Sequence, residues 1–214
     1  MIFYYTIMEF FSIKDTKVKP NTTGSDPDHK ADMILAQKKK RRLETRDILL
    51  IGILLAAGGI SKFFITSIFE SGFKPNIIIA MYCLAILLVK PRIIEAAIIG
   101  ILAGAICQVY PGQPYINFAS ELTGALTMCL LVKIPVEKFT KIPVKPILGT
   151  FVSTLVSGFT FIGAMHLVYY AGINILFYPP LRVTSSTLVV LGTAAFNTII
   201  VQVLYIPLKL VLRK

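Results

Sequence analysis

One residue stands out for the chemistry it could do. Glu121 lies near the middle of an apolar stretch covering residues 116–132. A charged carboxylate at the centre of a lipid-embedded helix costs about 2.5–3.5 kcal/mol to insert, so it should face a protein interior or water. Asn117 lies four residues earlier, on the same face of a helix. Gln113 and Tyr115 occupy the turn just before. Together these side chains make a polar stripe descending from one mouth of a helical bundle into its interior. Such a stripe suits a binding site for a small polar or zwitterionic solute. The structural alternative is a hydrogen-bond clamp between helices.

Other polar groups could converge on the same place. Lys74 and Asn76 bracket Pro75. Lys74 suits an anionic group, or it snorkels to the membrane interface. His166 lies inside a later apolar stretch and suits either a bond to a backbone carbonyl or a ligand contact. Asn197, in the middle of the last stretch, suits helix–helix glue or binding. Arg182 reads as an interfacial anchor. Tyr110, Tyr115, Tyr169, Tyr170 and Tyr178 fall at one level and read as an aromatic belt, with one or two available to wall a flat ligand.

The elements that must position these residues are six apolar stretches, at 48–69, 77–89, 93–110, 116–132, 147–171 and 183–212. A spanning helix needs about 20 apolar residues, and four of the six fit. The second is short enough to need shielding by its neighbours, and the last is long enough to tilt. Hydrophobic residues make up 55% of the 214, and charged residues only 15%, too apolar a balance for a soluble domain. Proline marks the joints: Pro75, Pro91, Pro111, Pro114, Pro135, Pro143, Pro146, Pro179 and Pro180 all fall at or near boundaries. The expected fold is an all-α integral membrane protein, a compact bundle of six transmembrane helices in residues 47–214.

Charge sets its orientation. The net charge of +11 is concentrated at the ends of spans. Lys38, Lys39, Lys40, Arg41, Arg42 and Arg46 precede the first. Lys90 and Arg92, then Lys133, Lys138, Lys141 and Lys145, occupy alternate loops, and Lys209, Arg213 and Lys214 end the chain. The opposite loops hold little beyond Lys74 and Arg182, with Lys62 inside the first span. This pattern follows the positive-inside rule rather than a nucleic-acid footprint, and it predicts that both termini are cytoplasmic. The basic block also attracts anionic lipid. Residues 1–46 have the composition of a disordered, basic cytoplasmic extension, of which 1–13 could lie on a membrane surface.

Several functions lose support. Cys83, Cys107 and Cys129 fall singly within apolar stretches and read as packing residues, not a disulfide framework or a metal site. No GxxxxGK[ST] motif supplies a phosphate cradle, and no cofactor is implied. Ser153, Ser157 and His166 share one stretch, but thirteen residues separate Ser153 from His166, nearly 20 Å along a helix, too far for a catalytic dyad. Glu95 beside Arg92 reads as an interfacial pair. Small residues recur at four-residue spacing at Gly52 and Ala56, at Ala57 and Ser61, and at Gly100 and Gly104. Such faces suit close packing within the bundle or docking of a membrane partner.

The order of these features resembles a known family. A small-residue first span precedes Lys74-Pro75-Asn76, a short second span and Lys90-Pro91-Arg92. Then come Gly100 and Gly104, Tyr110-Pro111-Gly112-Gln113-Pro114, Asn117 with an acidic residue beyond it, and Asn197 in a long last span with a basic end. The chain resembles the tryptophan transporter family of substrate-binding S components of energy-coupling-factor (ECF) transporters. It departs from the family pattern at Asn76 and Glu121, each commonly Asp, and in the spacing around Gln113. The resemblance implies a cell-membrane subunit that binds a nutrient from outside and associates with a transmembrane coupling subunit and cytoplasmic ATPases. It implies that Gly52, Ala56, Ala57 and Ser61 meet the coupling subunit. For a tryptophan cargo, Glu121 would pair with the ammonium, and Lys74 or a helix N-terminus would meet the carboxylate. Asn117, Gln113 or His166 would accept from the indole N–H, with tyrosines and Phe118 around the ring. An S component for another amino acid or a vitamin, and a stand-alone gradient-driven carrier, are the alternatives.

The chain contains no tryptophan. The purified protein is expected to show tyrosine-type emission alone, so that added tryptophan is the sole indole in a fluorescence titration.

Overall fold

The computed structural model describes residues 43–68, 75–110, 115–134, 144–172 and 183–212. Residues 1–42 of the N-terminal extension lie outside them, as do Lys74, Gln113, Tyr178, Arg182 and the prolines at 111, 114, 135, 143, 179 and 180, while the last two residues of the extension, Thr45 and Arg46, already belong to the first helix. The described residues form six helices and no strand: α1 (Thr45–Ile68), α2 (Ile77–Val89), α3 (Ile93–Cys107), α4 (Ile116–Lys133), α5 (Val144–Tyr170) and α6 (Val183–Leu212). By length and composition α1, α5 and α6 can each cross a membrane, while α2 and α3 are apolar but shorter.

The short helix α2 organises the others. Its sequence, IIIAMYCLAILLV, is apolar on every face, which fits a helix surrounded by protein. All of its residues but Leu88 are buried, and it packs against each of the other five helices. The shielding that its length requires is therefore supplied on all sides. α2 stops at Lys90 because Pro91 disfavours helical geometry in the residue before it. Lys90 turns to a left-handed φ of 53° and its N–H closes on the Ile86 carbonyl.

Around α2 the remaining helices pack in the order α1, α3, α4, α5, α6. The ring does not close: among the described residues α1 and α6 do not pack on each other. The α3–α4 seam is the tightest in backbone terms. A Cβ added at Gly100 would lie 2.8 Å from Leu122 Cα and 2.9 Å from the Glu121 carbonyl oxygen, and one added at Gly104 would lie 2.9 Å from Phe118 Cα. This small-residue pair therefore serves packing, and what it brings close is the stretch of α4 carrying Glu121. On α1, Gly52 has nothing within 4 Å of an added Cβ. It and Ala56 are exposed, while Ala57 and Ser61 are half-buried.

The seams of α2, α4 and α5 are joined by hydroxyl and thiol groups. Cys83 Sγ donates to Ser153 Oγ at 3.4 Å, and Ser153 Oγ donates to the Gly124 carbonyl at 2.6 Å. Thr123 Oγ1 on α4 donates to Thr160 Oγ1 on α5 at 3.2 Å. Gly124 has no side chain because the Tyr82 hydroxyl occupies that place.

Some boundaries differ from those read in the sequence. α5 begins at Val144 and takes Pro146 into its first turn, where a missing backbone donor has no partner to lose. α3 ends at Cys107, before Tyr110. Pro207 lies inside α6, where it leaves the Val203 carbonyl without its helical donor. Glu95 accepts the Arg92 backbone N–H at 2.7 Å and so helps cap α3.

Gly100→Val is expected to force α3 from α4 and cost about 1–3 kcal/mol, as overpacking does. Gly52→Val, facing open space, should change stability by less than about 0.5 kcal/mol. Thermal melts of both variants in one detergent check the contrast.

Candidate ligand-binding site

A cavity of about 430 Å³ opens among the helices. α1 contributes Lys62 and Thr66 from its last two turns, and α2 contributes Asn76 from its start. Cys107 ends α3, and Asn117 opens α4. The site thus sits toward the end of the bundle where α1 and α3 finish and α2 and α4 begin.

Glu121 forms the charged end. It is 1% exposed. Its Oε1 accepts from Asn76 Nδ2 at 2.5 Å and lies 3.7 Å from the Cys107 thiol. Its Oε2 is buried with no hydrogen-bond partner among the described residues. Asn76 stands at the position that would cap α2, yet its side chain makes no cap bond and turns to Glu121 instead. Its own carbonyl is held by Asn197 Nδ2 of α6 at 3.1 Å. One asparagine therefore orients the carboxylate, and a second fixes the backbone of the first.

Lys62 supplies the opposite charge. Its Nζ donates to Cys107 Sγ at 3.1 Å and lies 5.2 Å from the centre of the Tyr110 ring. The Tyr110 hydroxyl donates in turn to the Gly59 carbonyl, tying the end of α3 to α1. Ile79, Phe161, Val189 and Val190 give the cavity an apolar wall. Thr154, Ser157 and Thr193 bring hydroxyls to it from α5 and α6, and Thr154 Oγ1 is buried without a partner. Val190 reaches this wall because Gly158 leaves room for it; a Cβ there would lie 2.6 Å from Val190 Cγ1.

The arrangement has a distinct chemistry. The lining combines a carboxylate and an ammonium with apolar side chains, and two of its residues, Glu121 and Thr154, carry buried oxygens without a hydrogen-bond partner among the described residues. Buried polar atoms in native proteins almost always find a partner. A site whose buried polar atoms lack partners among the described residues suits completion by a ligand or water. Its volume falls within the roughly 300–1,000 Å³ of small-molecule sites.

Of the residues singled out in the sequence, Glu121, Asn117 and Asn76 meet at this cavity. Asn197 is fully buried and reaches the site through the Asn76 carbonyl. His166 is bonded to the Ile162 carbonyl of its own helix at 2.8 Å and does not line the cavity. Tyr115 is 72% exposed, and Phe118 packs at Gly104 on the α3 side. Among the five tyrosines of the expected belt, Tyr110 lines the cavity. Lys74 and Gln113 lie outside the described residues.

Sequence reasoning missed Lys62 and Cys107 as site residues. Lys62 had entered only as a charge inside the first span, although an intramembrane lysine is itself a pointer to function. Cys107 carried no signal beyond its small size. The α5 hydroxyls at 150, 153, 154 and 157 recur every three or four residues, a spacing that places them on one face.

Neither a curated protein nor a solved structure matches the chain. A family model, described as Tryptophan transporter TrpP, matches residues 44–213. That span takes in all six helices and every residue around the cavity, and the chain belongs to the tryptophan transporter TrpP family of membrane proteins.

Proposed function

We propose that this chain is the substrate-binding membrane subunit of a tryptophan uptake system, energised by a transmembrane coupling subunit and cytoplasmic ATPases of the energy-coupling-factor type. In this reading all six helices form the membrane bundle and both termini are cytoplasmic. The alternation of basic and charge-poor loops supports that orientation. The lack of a nucleotide-binding motif in the sequence supports an external source of energy. The open face at Gly52 and Ala56 supports close approach of a partner helix along α1. Its business is transport, not catalysis.

The observation that carries the proposal is the buried Glu121 carboxylate, with one oxygen unpartnered among the described residues, in the lining of a cavity that also carries apolar side chains. The ammonium group of tryptophan donates to that oxygen and supplies the missing partner. The indole ring lies against Phe161, Ile79 and the α6 valines. Its N–H reaches the Thr154 hydroxyl, which has accepting capacity to spare. Asn76 and Asn197 hold the acceptor in place, so the site is ordered before the ligand arrives.

Glu121→Gln keeps the shape of the side chain and removes its charge. Tryptophan binding, followed by the shift in indole emission, is expected to weaken about tenfold or more. The melting temperature should hold or rise, because a carboxylate no longer needs to be kept at membrane depth. Unchanged affinity would make Glu121 a structural clamp instead. In liposomes, the purified chain alone is expected to give no concentrative uptake of tryptophan. Accumulation driven by an ion gradient in that preparation would establish a stand-alone carrier.

A further inference from the structure

Lys62 has no acid partner in the described structure. Its ammonium meets a neutral thiol and an aromatic face, both weaker acceptors than a carboxylate. It nevertheless lines the cavity together with Glu121. The same thiol stands between the two charges, 3.1 Å from Lys62 Nζ and 3.7 Å from Glu121 Oε1. Those two contacts keep the opposite charges within about 7 Å of each other. That gap suits two charge-assisted hydrogen bonds of about 2.8 Å with one amino acid backbone between them.

We infer that Lys62 is the carboxylate-recognising residue of this site, and that the site selects free α-amino acids carrying both charges on one carbon. This assignment rests on the uptake reading above and deepens it. The ammonium end goes to Glu121 Oε2 and the carboxylate end to Lys62 Nζ, which exchanges its thiol contact for a charged oxygen. The ligand's charges then neutralise the site's charges pairwise beside buried groups and apolar side chains, where each interaction is stronger than in bulk solvent. An amine that lacks the carboxylate leaves Lys62 unmatched and brings a second cation beside it. An acid that lacks the amine sets two carboxylates against each other. Selectivity of this kind comes from repulsion as much as from attraction.

The test uses the full chain in detergent and three indoles: tryptophan, tryptamine and indole-3-propionate. Wild-type protein is expected to bind tryptophan at least about tenfold more tightly than either analogue. In Lys62→Met, tryptophan should weaken about tenfold or more while tryptamine tightens, because the cationic ligand no longer faces a cation. A gain of binding is a readout that an unfolded variant cannot give. Lys62→Arg, which keeps the charge, should retain the preference for tryptophan. The assignment is overturned if Lys62→Met discriminates as wild type does, or if it loses tryptamine and tryptophan alike. Wild-type protein that binds tryptophan and tryptamine equally would also overturn it, with the uptake reading left standing. Wild-type protein that binds no indole would remove both.

Discussion

A buried carboxylate with only one of its two oxygens hydrogen-bonded among the described residues is the constraint around which the bundle is arranged. An unmet acceptor in a low-dielectric interior costs about 1–3 kcal/mol, and more when it is charged. The fold holds the cost in check on one side and leaves it standing on the other. Asn76 from the start of α2 and the Cys107 thiol from the end of α3 reach Oε1, while Oε2 has no hydrogen-bond partner among the described residues. A clamp between helices would satisfy both oxygens. In the uptake reading proposed above, one oxygen is kept for the ligand, and the energy left unrecovered in the empty site would become available to the donor that enters it.

Keeping that geometry requires helices that do not drift, and the sequence supplies the means in small residues. Gly100 and Gly104 let α3 lie against the α4 backbone next to Glu121. Gly124 admits the Tyr82 hydroxyl, and the Gly124 carbonyl accepts the Ser153 hydroxyl that also receives the Cys83 thiol. α2, α4 and α5 are thereby locked by backbone approach and short polar bonds at once, a mode of association suited to surroundings as apolar as the side chains themselves. Asn197 extends the lock to α6 through the Asn76 carbonyl.

Much of this was legible in the chain, for identifiable reasons. The six helices follow from apolar runs separated by proline and charge, and the shielded place of α2 from a stretch too short to span a membrane and too uniformly apolar to face water. Glu121 with Asn117 follows from four-residue spacing on one helix, a local relation that a sequence displays directly. What stayed hidden was long-range. Nothing near Lys62 in the sequence announces that it meets Cys107, 45 positions away, or that Asn76 forgoes its cap to hold Glu121. Those pairings arise from which helix faces which, and the apolar faces of α1 and α2 are too uniform to fix that in advance. His166 shows the converse: a histidine in an apolar span draws notice, yet a carbonyl one turn back satisfies it.

The gap in the ring between α1 and α6 bears on how a ligand held as proposed above would be released. Among the described residues α1 rests on α2 and α3, whereas α4 and α5 are each gripped by three neighbours. An element held along one flank swings at less expense than one held along both, since fewer close-packed surfaces must part. Outward travel of α1 carries its ammonium off with it and leaves the carboxylate, its asparagine brace and the apolar wall where they were. On the assignment of Lys62 proposed above, the bound molecule would then lose one of its two anchors in a single stroke.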